Sequence, residues 1–217
     1  MITLTLPSGI IITRSQPEHV EALAILQRIV FPTLSEAEIL TADNYRSHIN
    51  IFPEGQFVAL DGERVVGSTS TLRVNFDLND PTTGHHTFNE TVAGGWFTSH
   101  LPDGEWLYGA DMGTHPDYRR LGLGRAFYRV RQQLAREIGC KGQLIGGMLS
   151  GYQAVSDLMT VEQYYAEVVA GKRFDPTASV QQKLGFKFQS LLLDYIDDPL
   201  SGNASVMMTL DADSVIA

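Results

Sequence analysis

Hydrophobic and polar positions along the chain predict strands and helices that follow one another. Apolar runs typical of strands precede stretches with apolar residues every three or four positions, which is the helical period. This pattern predicts strands at 9–14, 57–60, 64–76, 106–114, 143–148, 186–195 and 206–210. Helices are predicted after the capping-box pairs Ser15/Glu18, Ser35/Glu38 and Thr160/Gln163, over 119–138, and over a short stretch that ends near Leu184. Such alternation predicts an α/β fold.

The most informative segment joins a predicted strand to a predicted helix. Residues 106–114 end at His115-Pro116, and the stretch RRLGLG at 119–124 leads into a helix that closes at Gly139. A glycine-containing turn before a helix presents unpaired amides and the positive end of the helix dipole, and glycine lets an anion approach closely. The segment therefore predicts a ligand that carries phosphate or pyrophosphate.

The glycine spacing disfavours two common nucleotide sites. A dinucleotide fold requires a third glycine and a later acidic residue, and the mononucleotide loop requires Gly-Lys-Ser/Thr. Neither pattern is found here, and arginines stand where the dinucleotide turn has small residues. A nucleotide-binding fold that prefers ATP or NAD stays open as an alternative.

The motif Arg119-x-x-Gly122-x-Gly124, with the preceding strand and His115-Pro116, resembles the Arg/Gln-x-x-Gly-x-Gly/Ala signature of the GNAT acyltransferases. The similarity extends from about residue 10 to residue 210 and includes Leu184-Gly185-Phe186. It implies an α/β fold with a mixed, mostly antiparallel central sheet flanked by helices. Segments 94–111 and 159–176 are similar to the GNAT domain often fused to carbon–nitrogen hydrolases. We expect one GNAT domain over 1–217, without a hydrolase domain.

The resemblance implies acetyl-coenzyme A, or a close acyl homologue, as co-substrate and a primary amine of a small molecule or protein as acceptor. The strand amides of Met112, Gly113 and Thr114 would hold pantetheine and the thioester carbonyl. The turn would hold the pyrophosphate through the stretch Arg119, Arg120, Leu121, Gly122, Leu123, Gly124 and Arg125. No metal is implied.

Two residues are candidates for catalysis. Asp111 lies three residues before Thr114, at a position where many GNAT enzymes carry a glutamate that acts as the general base. A carboxylate in an apolar strand is also costly unless it is hydrogen-bonded. His100 lies in the hydrolase-like segment and titrates near neutral pH. The family's acid tyrosine is replaced by Gln181, which leaves Tyr118, Tyr152, solvent or no acid at all. A non-catalytic acyl-coenzyme A sensor or docking module is therefore the alternative function.

The composition of the chain restricts the classes of binding partner that we expect. The chain has 217 residues, a net charge of -9, 43% hydrophobic residues and one cysteine, Cys140, which we expect to be buried. The acidic balance disfavours nucleic acid and suits a cationic amine, and no apolar run predicts a membrane partner. We expect a cytoplasmic monomer or homodimer.

The histidines and aromatic residues of the loops allow two further predictions. His85, His86 and His100 lack the spacing of a metal site. We expect segments 77–104 and 152–171 to wall the acceptor pocket with the aromatic residues Trp96, Phe97, Tyr164 and Tyr165.

Overall fold

The structure, a computed structural model, describes residues 2–78 and 87–216. In these ranges, strands β1–β8 span Leu4–Thr5, Ile11–Arg14, Gln56–Asp61, Arg64–Val74, Trp106–Thr114, Gly142–Met148, Lys187–Leu192 and Ser205–Asp211. Helices α1–α6 span Val20–Val30, Ala42–Ile51, Phe88–Thr91, Leu123–Glu137, Val161–Val169 and Ala178–Lys183. No helix in the described ranges is both long and apolar enough to cross a bilayer.

The strands form one sheet in the order β1-β2-β3-β4-β5-β6-β8-β7. Among the described strands only β5 and β6 pair in parallel, and helix α4 makes the crossover that a parallel pair requires. All other neighbours are antiparallel. The predicted mixed, mostly antiparallel sheet is therefore confirmed.

Helices cover both faces of this sheet. On one face, α1 and α2 pack against β3 through a cluster that includes Leu23, Tyr45 and Val58. On the other face, Phe127 of α4 packs with Phe57, the neighbour of Val58 in the strand. Successive strand residues point to opposite faces, so α4 lies across the sheet from α1 and α2.

Several predicted elements are confirmed. The hairpin of β3 and β4, the strand β5, the helix α5 with its Thr160/Gln163 capping box, and α4 followed by Gly139 with a φ of 71° are all present. Each of these depends on local chemistry, namely a turn, an apolar run or a cap. Strand β1 was not predicted, because it has only two residues.

Three helix starts were predicted wrongly. Ser15 precedes a single turn at Pro17–His19 that contains Glu18, and α1 begins only at Val20. The Ser35/Glu38 pair forms a turn in which the Glu38 amide donates to the Ser35 carbonyl, while α2 begins later with Thr41 and Asn44 as its capping box. Helix α4 begins at Leu123, because the left-handed Gly122 precedes it.

Strands β5 and β6 separate halfway along their length. They pair only from Trp106 to Gly109 of β5. Beyond that point β5 stays paired with β4 as far as Thr114, and β6 stays paired with β8 as far as Met148. The two strands therefore open a gap in the centre of the sheet.

A β-bulge changes the direction of the Asp111 side chain, which lies on β5 at this gap. The register between β4 and β5 shifts so that Ser70 faces Asp111 and Thr71 faces Gly109, which leaves Ala110 as the extra residue. Asp111 consequently points to the face of α1 and α2, which it would not do in a regular strand.

Candidate active site

The turn before α4 has the backbone geometry of an anion site. Arg120 and Gly122 have positive φ angles of 65° and 86°, and the residue between them does not. Alternation of right-handed and left-handed residues directs successive amides to one side. The first backbone hydrogen bond of α4 runs from the Ala126 amide to the Gly122 carbonyl. In the described part of the chain, no group accepts a hydrogen bond from the amides of residues 120–125.

The surroundings of the turn are open and positive. A Cβ on Gly122 or Gly124 would meet no atom within 4 Å. Arg119, Arg120 and Arg125 are exposed, and none of them has an ion-pair partner among the described residues. Free amides, a helix N-terminus and unpaired arginines together fit a pyrophosphate group.

A cavity of about 610 Å³ extends from Arg119, the residue before this turn, through the gap in the sheet. Its wall includes Arg119 beside the turn, Met112 on β5 and Gly147 on β6. Tyr128 borders it from α4, and Asp111 borders it from the face of α1 and α2. A linear ligand could therefore pass from one face of the sheet to the other.

Asp111 is a buried carboxylate in this cavity, with 6% of its surface exposed. The Tyr45 hydroxyl donates to its Oδ2 at 3.1 Å and lies 3.0 Å from Oε1 of Gln27. Burial raises the pKa of Asp111 to about 6, although the Tyr45 bond, the Arg131 charge and the Met112 amide act in the opposite direction. Such a carboxylate is mostly ionised at neutral pH and can accept a proton.

Arg131 carries a buried positive charge next to Asp111. Its Nη2 donates to the backbone carbonyl of Asp111 at 2.5 Å, and Nε has no partner among the described residues. No described carboxylate forms an ion pair with it, and burial lowers its pKa to about 10. Gly109 provides the space, because a Cβ there would overlap Nη1 of Arg131.

Gln181 holds a tyrosine that the sequence analysis missed. Its Nε2 donates to the Tyr128 hydroxyl at 2.8 Å, and both residues border the cavity. The Tyr128 proton has no acceptor in the described structure, so it is free for a ligand. Burial raises the pKa of Tyr128, while the charge of Arg131 and the Gln181 bond lower it.

The tyrosines that we predicted as possible acids do not border the cavity. The Tyr118 hydroxyl donates to Asp61 at 2.8 Å, and the Tyr152 hydroxyl donates to the Met159 carbonyl at 3.2 Å. The sequence does contain a signal for Tyr128. It lies three residues before Arg131 in the predicted helix, so the helical period places both side chains on one face, beside the apolar stripe of α4.

His100 does not join Asp111. Its Nδ1 accepts from the Arg73 amide at 3.1 Å, and its ring stacks on Phe52 with centroids 4.6 Å apart. Burial lowers its pKa, and it does not border the cavity. The predicted catalytic role of His100 therefore has no geometric support. His85 and His86 lie outside the described residues.

The predicted aromatic wall is wrong. Trp96 is exposed, Phe97 stacks on His48 inside the core, and the Tyr164 hydroxyl donates to Asp175. Tyr165 packs against Phe188 instead. The aromatic residues that border the cavity are Phe31, Phe88, Tyr128 and Tyr195. Of the two predicted wall segments, only the first contributes a described residue, Phe88.

The structure also bears on the single cysteine and on metal binding. Cys140 is buried, and burial raises the pKa of its thiol, which suits a packing role. Within residues 2–78 and 87–216, no group of three histidine, cysteine or carboxylate side chains could hold a metal ion.

The sequence matches the family model described as the acetyltransferase (GNAT) family over residues 22–148. It is 31% identical over 190 residues to YkwB, an uncharacterized N-acetyltransferase of Bacillus subtilis strain 168, which covers 87% of this chain and 83% of YkwB. It is 32% identical over 188 residues to the probable hydrolase YhcX of the same organism. That match covers 87% of this chain but 36% of YhcX.

A solved structure has a similar fold. The GNAT-like decarboxylase GphF in complex with isobutyryl-CoA superposes with a TM-score of 0.77, covering 93% of this chain and 98% of that chain. At 18% identity, this similarity concerns the fold alone.

Proposed function

The chain belongs to the acetyltransferase (GNAT) family, and we propose that it transfers an acyl group from acyl-coenzyme A to the nitrogen of an amine. The observation that carries this proposal is one continuous cavity. It runs from Arg119, next to the turn of free amides, through the gap between β5 and β6 to the buried carboxylate of Asp111. Such a cavity brings the two substrates together from opposite faces of the sheet.

The coenzyme A half of the cavity is the side of α4. In our proposal, the amides of residues 120–125 and the nearby arginines hold the pyrophosphate. The pantetheine arm lies in the gap, where the backbone of Met112, Gly113 and Thr114 has no strand partner on the β6 side. One backbone donor to the thioester oxygen typically contributes about 3 kcal/mol to transition-state stabilisation.

Asp111 acts as the base in this proposal. The amine nitrogen attacks the thioester carbonyl, a C–N bond forms, and the nitrogen loses a proton to the Asp111 carboxylate directly or through water. Tyr45 fixes the carboxylate through its hydrogen bond to Oδ2. A pKa of about 6 makes Asp111 available as a base at neutral pH.

Tyr128 acts as the acid. When the C–S bond of the intermediate breaks, the coenzyme A sulfur keeps the bonding electrons and takes the proton of the Tyr128 hydroxyl. Gln181 positions that hydroxyl by donating to its oxygen, which leaves the proton free. The tyrosinate and the protonated Asp111 then exchange protons with solvent, so the net products are an amide and free coenzyme A.

A second candidate function is favoured by Arg131. A buried guanidinium without an ion-pair partner among the described residues suits a carboxylate on the acyl chain. Decarboxylation would break the bond between that carboxylate and the carbon next to the thioester, release CO₂ and leave an enolate that takes a proton from Tyr128 or water. GphF, whose fold is similar, is described as a decarboxylase.

Product analysis separates these functions. The protein is incubated with acetyl-coenzyme A or malonyl-coenzyme A, with and without a panel of amines, and thioesters and amides are separated by chromatography. Amide formed only with an amine supports transfer, and CO₂ released without an amine supports decarboxylation. Binding of acyl-coenzyme A without either product would identify a non-catalytic sensor or docking module.

A further inference from the structure

Three residues have an unpaired polar atom on the α1 and α2 side of the cavity, which is the acceptor face in our proposal. Glu38, Asp198 and Ser205 all border it, and their exposed fractions are 7%, 2% and 1%. Glu38 Oε2, Asp198 Oδ1 and Ser205 Oγ have no hydrogen-bond partner among the described residues. We call these three residues the acidic subsite.

Three segments of the chain contribute the members of the acidic subsite to the wall of one cavity. The Ser35 amide donates to the Asp197 carbonyl at 3.3 Å, and the Glu38 carboxylate accepts from the Asp197 amide. Glu38 thus contacts the residue that precedes Asp198. Ser205 is two residues before Met207 in β8, so it shares the face on which Met207 packs with Tyr195.

The carboxylates of the acidic subsite have no cationic partner among the described residues. No lysine, arginine or histidine among the described residues forms an ion pair with Glu38 or Asp198. Asp198 precedes the turn Pro199–Ser201 but makes no side-chain capping bond. Because buried, unpaired carboxylates are costly, a role in holding the fold does not explain them.

The ligand that meets these needs is a cation that donates several hydrogen bonds. An ammonium group has three donors and no acceptor, so it can satisfy two carboxylate oxygens and a hydroxyl together. Arg131 forms no ion pair with Glu38 or Asp198, and its Nη2 donates to the backbone carbonyls of Ser70 and Asp111. Asp111 borders the same face and is left for the reacting amine.

We propose that the acceptor is a diamine, whose reacting amine meets Asp111 while its second, protonated amine is held by Glu38, Asp198 and Ser205. This inference rests on the proposed transferase function and specifies its substrate class. The second ammonium stays charged in the site and contributes binding and orientation, whereas the reacting nitrogen must lose its proton.

The kinetic test compares matched acceptors. Acyl transfer from acetyl-coenzyme A is measured with 1,4-diaminobutane, 1-aminobutane and 4-amino-1-butanol, which share a four-carbon chain. The expected kcat/KM for the diamine exceeds that of either monoamine by about tenfold or more, as for loss of one partner of a buried charge pair. Equal values for all three acceptors would overturn the diamine proposal.

Variants connect this preference to the subsite. Glu38→Gln and Asp198→Asn should each raise KM for the diamine about tenfold while leaving the monoamine within about twofold. Asp194→Asn is the matched control, because Asp194 is exposed and does not border the cavity. Thermal unfolding verifies that each variant is folded. An unchanged diamine-to-monoamine ratio in both subsite variants would contradict the assignment.

A binding measurement separates failure of the subsite from failure of the transferase function. With coenzyme A present, 1,4-diaminobutane should raise the unfolding temperature of the wild type but not of the E38Q/D198N double variant. If no amide forms but this shift is seen, the subsite stands and the proposed transfer fails. If no such shift is seen, the subsite is refuted whatever the activity.

Discussion

At the scale of single residues, Asp111 shows how a fold produces a base. Burial opposes its charge, whereas Tyr45, Arg131 and the Met112 amide favour that charge, and the balance sets its pKa at about 6. The same burial that makes it a better base than an exposed aspartate also destabilises the folded protein at neutral pH.

Replacing Asp111 should therefore affect stability and activity in opposite directions. The ordinary pKa is 3.8 and the folded value is about 6, so the folded state binds more protons between these values. Stability consequently falls as pH rises through that window, and the loss is complete above it. We expect Asp111→Asn to be more stable than wild type by up to about 3 kcal/mol at pH 8 and by almost nothing near pH 4. Urea unfolding at both pH values measures this.

The same variant should lose transfer activity by roughly a hundredfold or more, the typical contribution of a general base. A variant that is less stable than wild type at pH 8 would show that burial of the Asp111 charge does not destabilise the fold. A variant that keeps full activity would show that Asp111 is not the base.

Tyr128 gives a separate prediction for the leaving group. Tyr128→Phe should lower kcat about tenfold or more and leave KM for acyl-coenzyme A unchanged, because the phenol is needed only as the C–S bond breaks. Tyr152→Phe is the control, because that hydroxyl bonds to the Met159 carbonyl and does not border the cavity. Steady-state kinetics of both variants decide the matter, and equal kcat values would exclude Tyr128 as the acid.

At the scale of elements, the strand β5, the turn and α4 form the unit that the sequence predicted best. Apolar alternation, His115-Pro116, the glycine pair and the helical stripe all lie within 33 consecutive residues, 106–138, so local rules suffice there. The family resemblance then supplied the coenzyme A role of that turn.

The acceptor face could not be predicted in this way. The Ala110 bulge turns Asp111 towards Tyr45, whereas the two-residue period of a regular strand would place Asp111 on the opposite face. Glu38 looked like a helix cap, yet its carboxylate contacts residue 197, which is distant in sequence. Tyr128 and Gln181 meet across 53 positions. These contacts depend on tertiary packing, about which sequence periodicity carries no information.

The turn itself is tested by a matched pair of glycines. Gly122 and Gly9 both have a φ of 86°, and a Cβ on either would contact nothing within 4 Å. Alanine at each position should therefore cost a similar amount of stability, about 1 kcal/mol. Only Gly122→Ala should weaken coenzyme A binding, by about tenfold or more, since its Cβ projects towards the proposed pyrophosphate. Calorimetric titration of both variants measures this, and equal affinities would refute the position of the pyrophosphate.

At the scale of the whole molecule, the net charge of -9 agrees in sign with the acidic subsite. An acidic protein attracts cationic acceptors at long range, and salt screens that attraction over roughly 10 Å at 0.1 M. The cavity itself has both charges in its wall, because Arg119 and the acidic subsite border it.

Ionic strength should therefore distinguish acceptors by charge. We expect kcat/KM for 1,4-diaminobutane to fall more steeply than that for 1-aminobutane when sodium chloride is raised from roughly 0.05 to 0.3 M, a range over which the screening length shortens considerably. Initial rates at fixed acetyl-coenzyme A measure both slopes. Identical slopes would indicate that the second ammonium is not attracted by the protein.

The most direct test of the central claim, an acyl-coenzyme A site at the turn and gap, does not depend on knowing the acceptor. Unfolding temperatures are measured with coenzyme A, acetyl-coenzyme A, longer acyl-coenzyme A species, ATP and NAD. At about 100 times its dissociation constant, a ligand adds about 2.7 kcal/mol, or roughly 5–10 °C for a chain of this size. We predict such a rise with coenzyme A species alone. No rise with any of them, or a preference for ATP or NAD, would contradict the account.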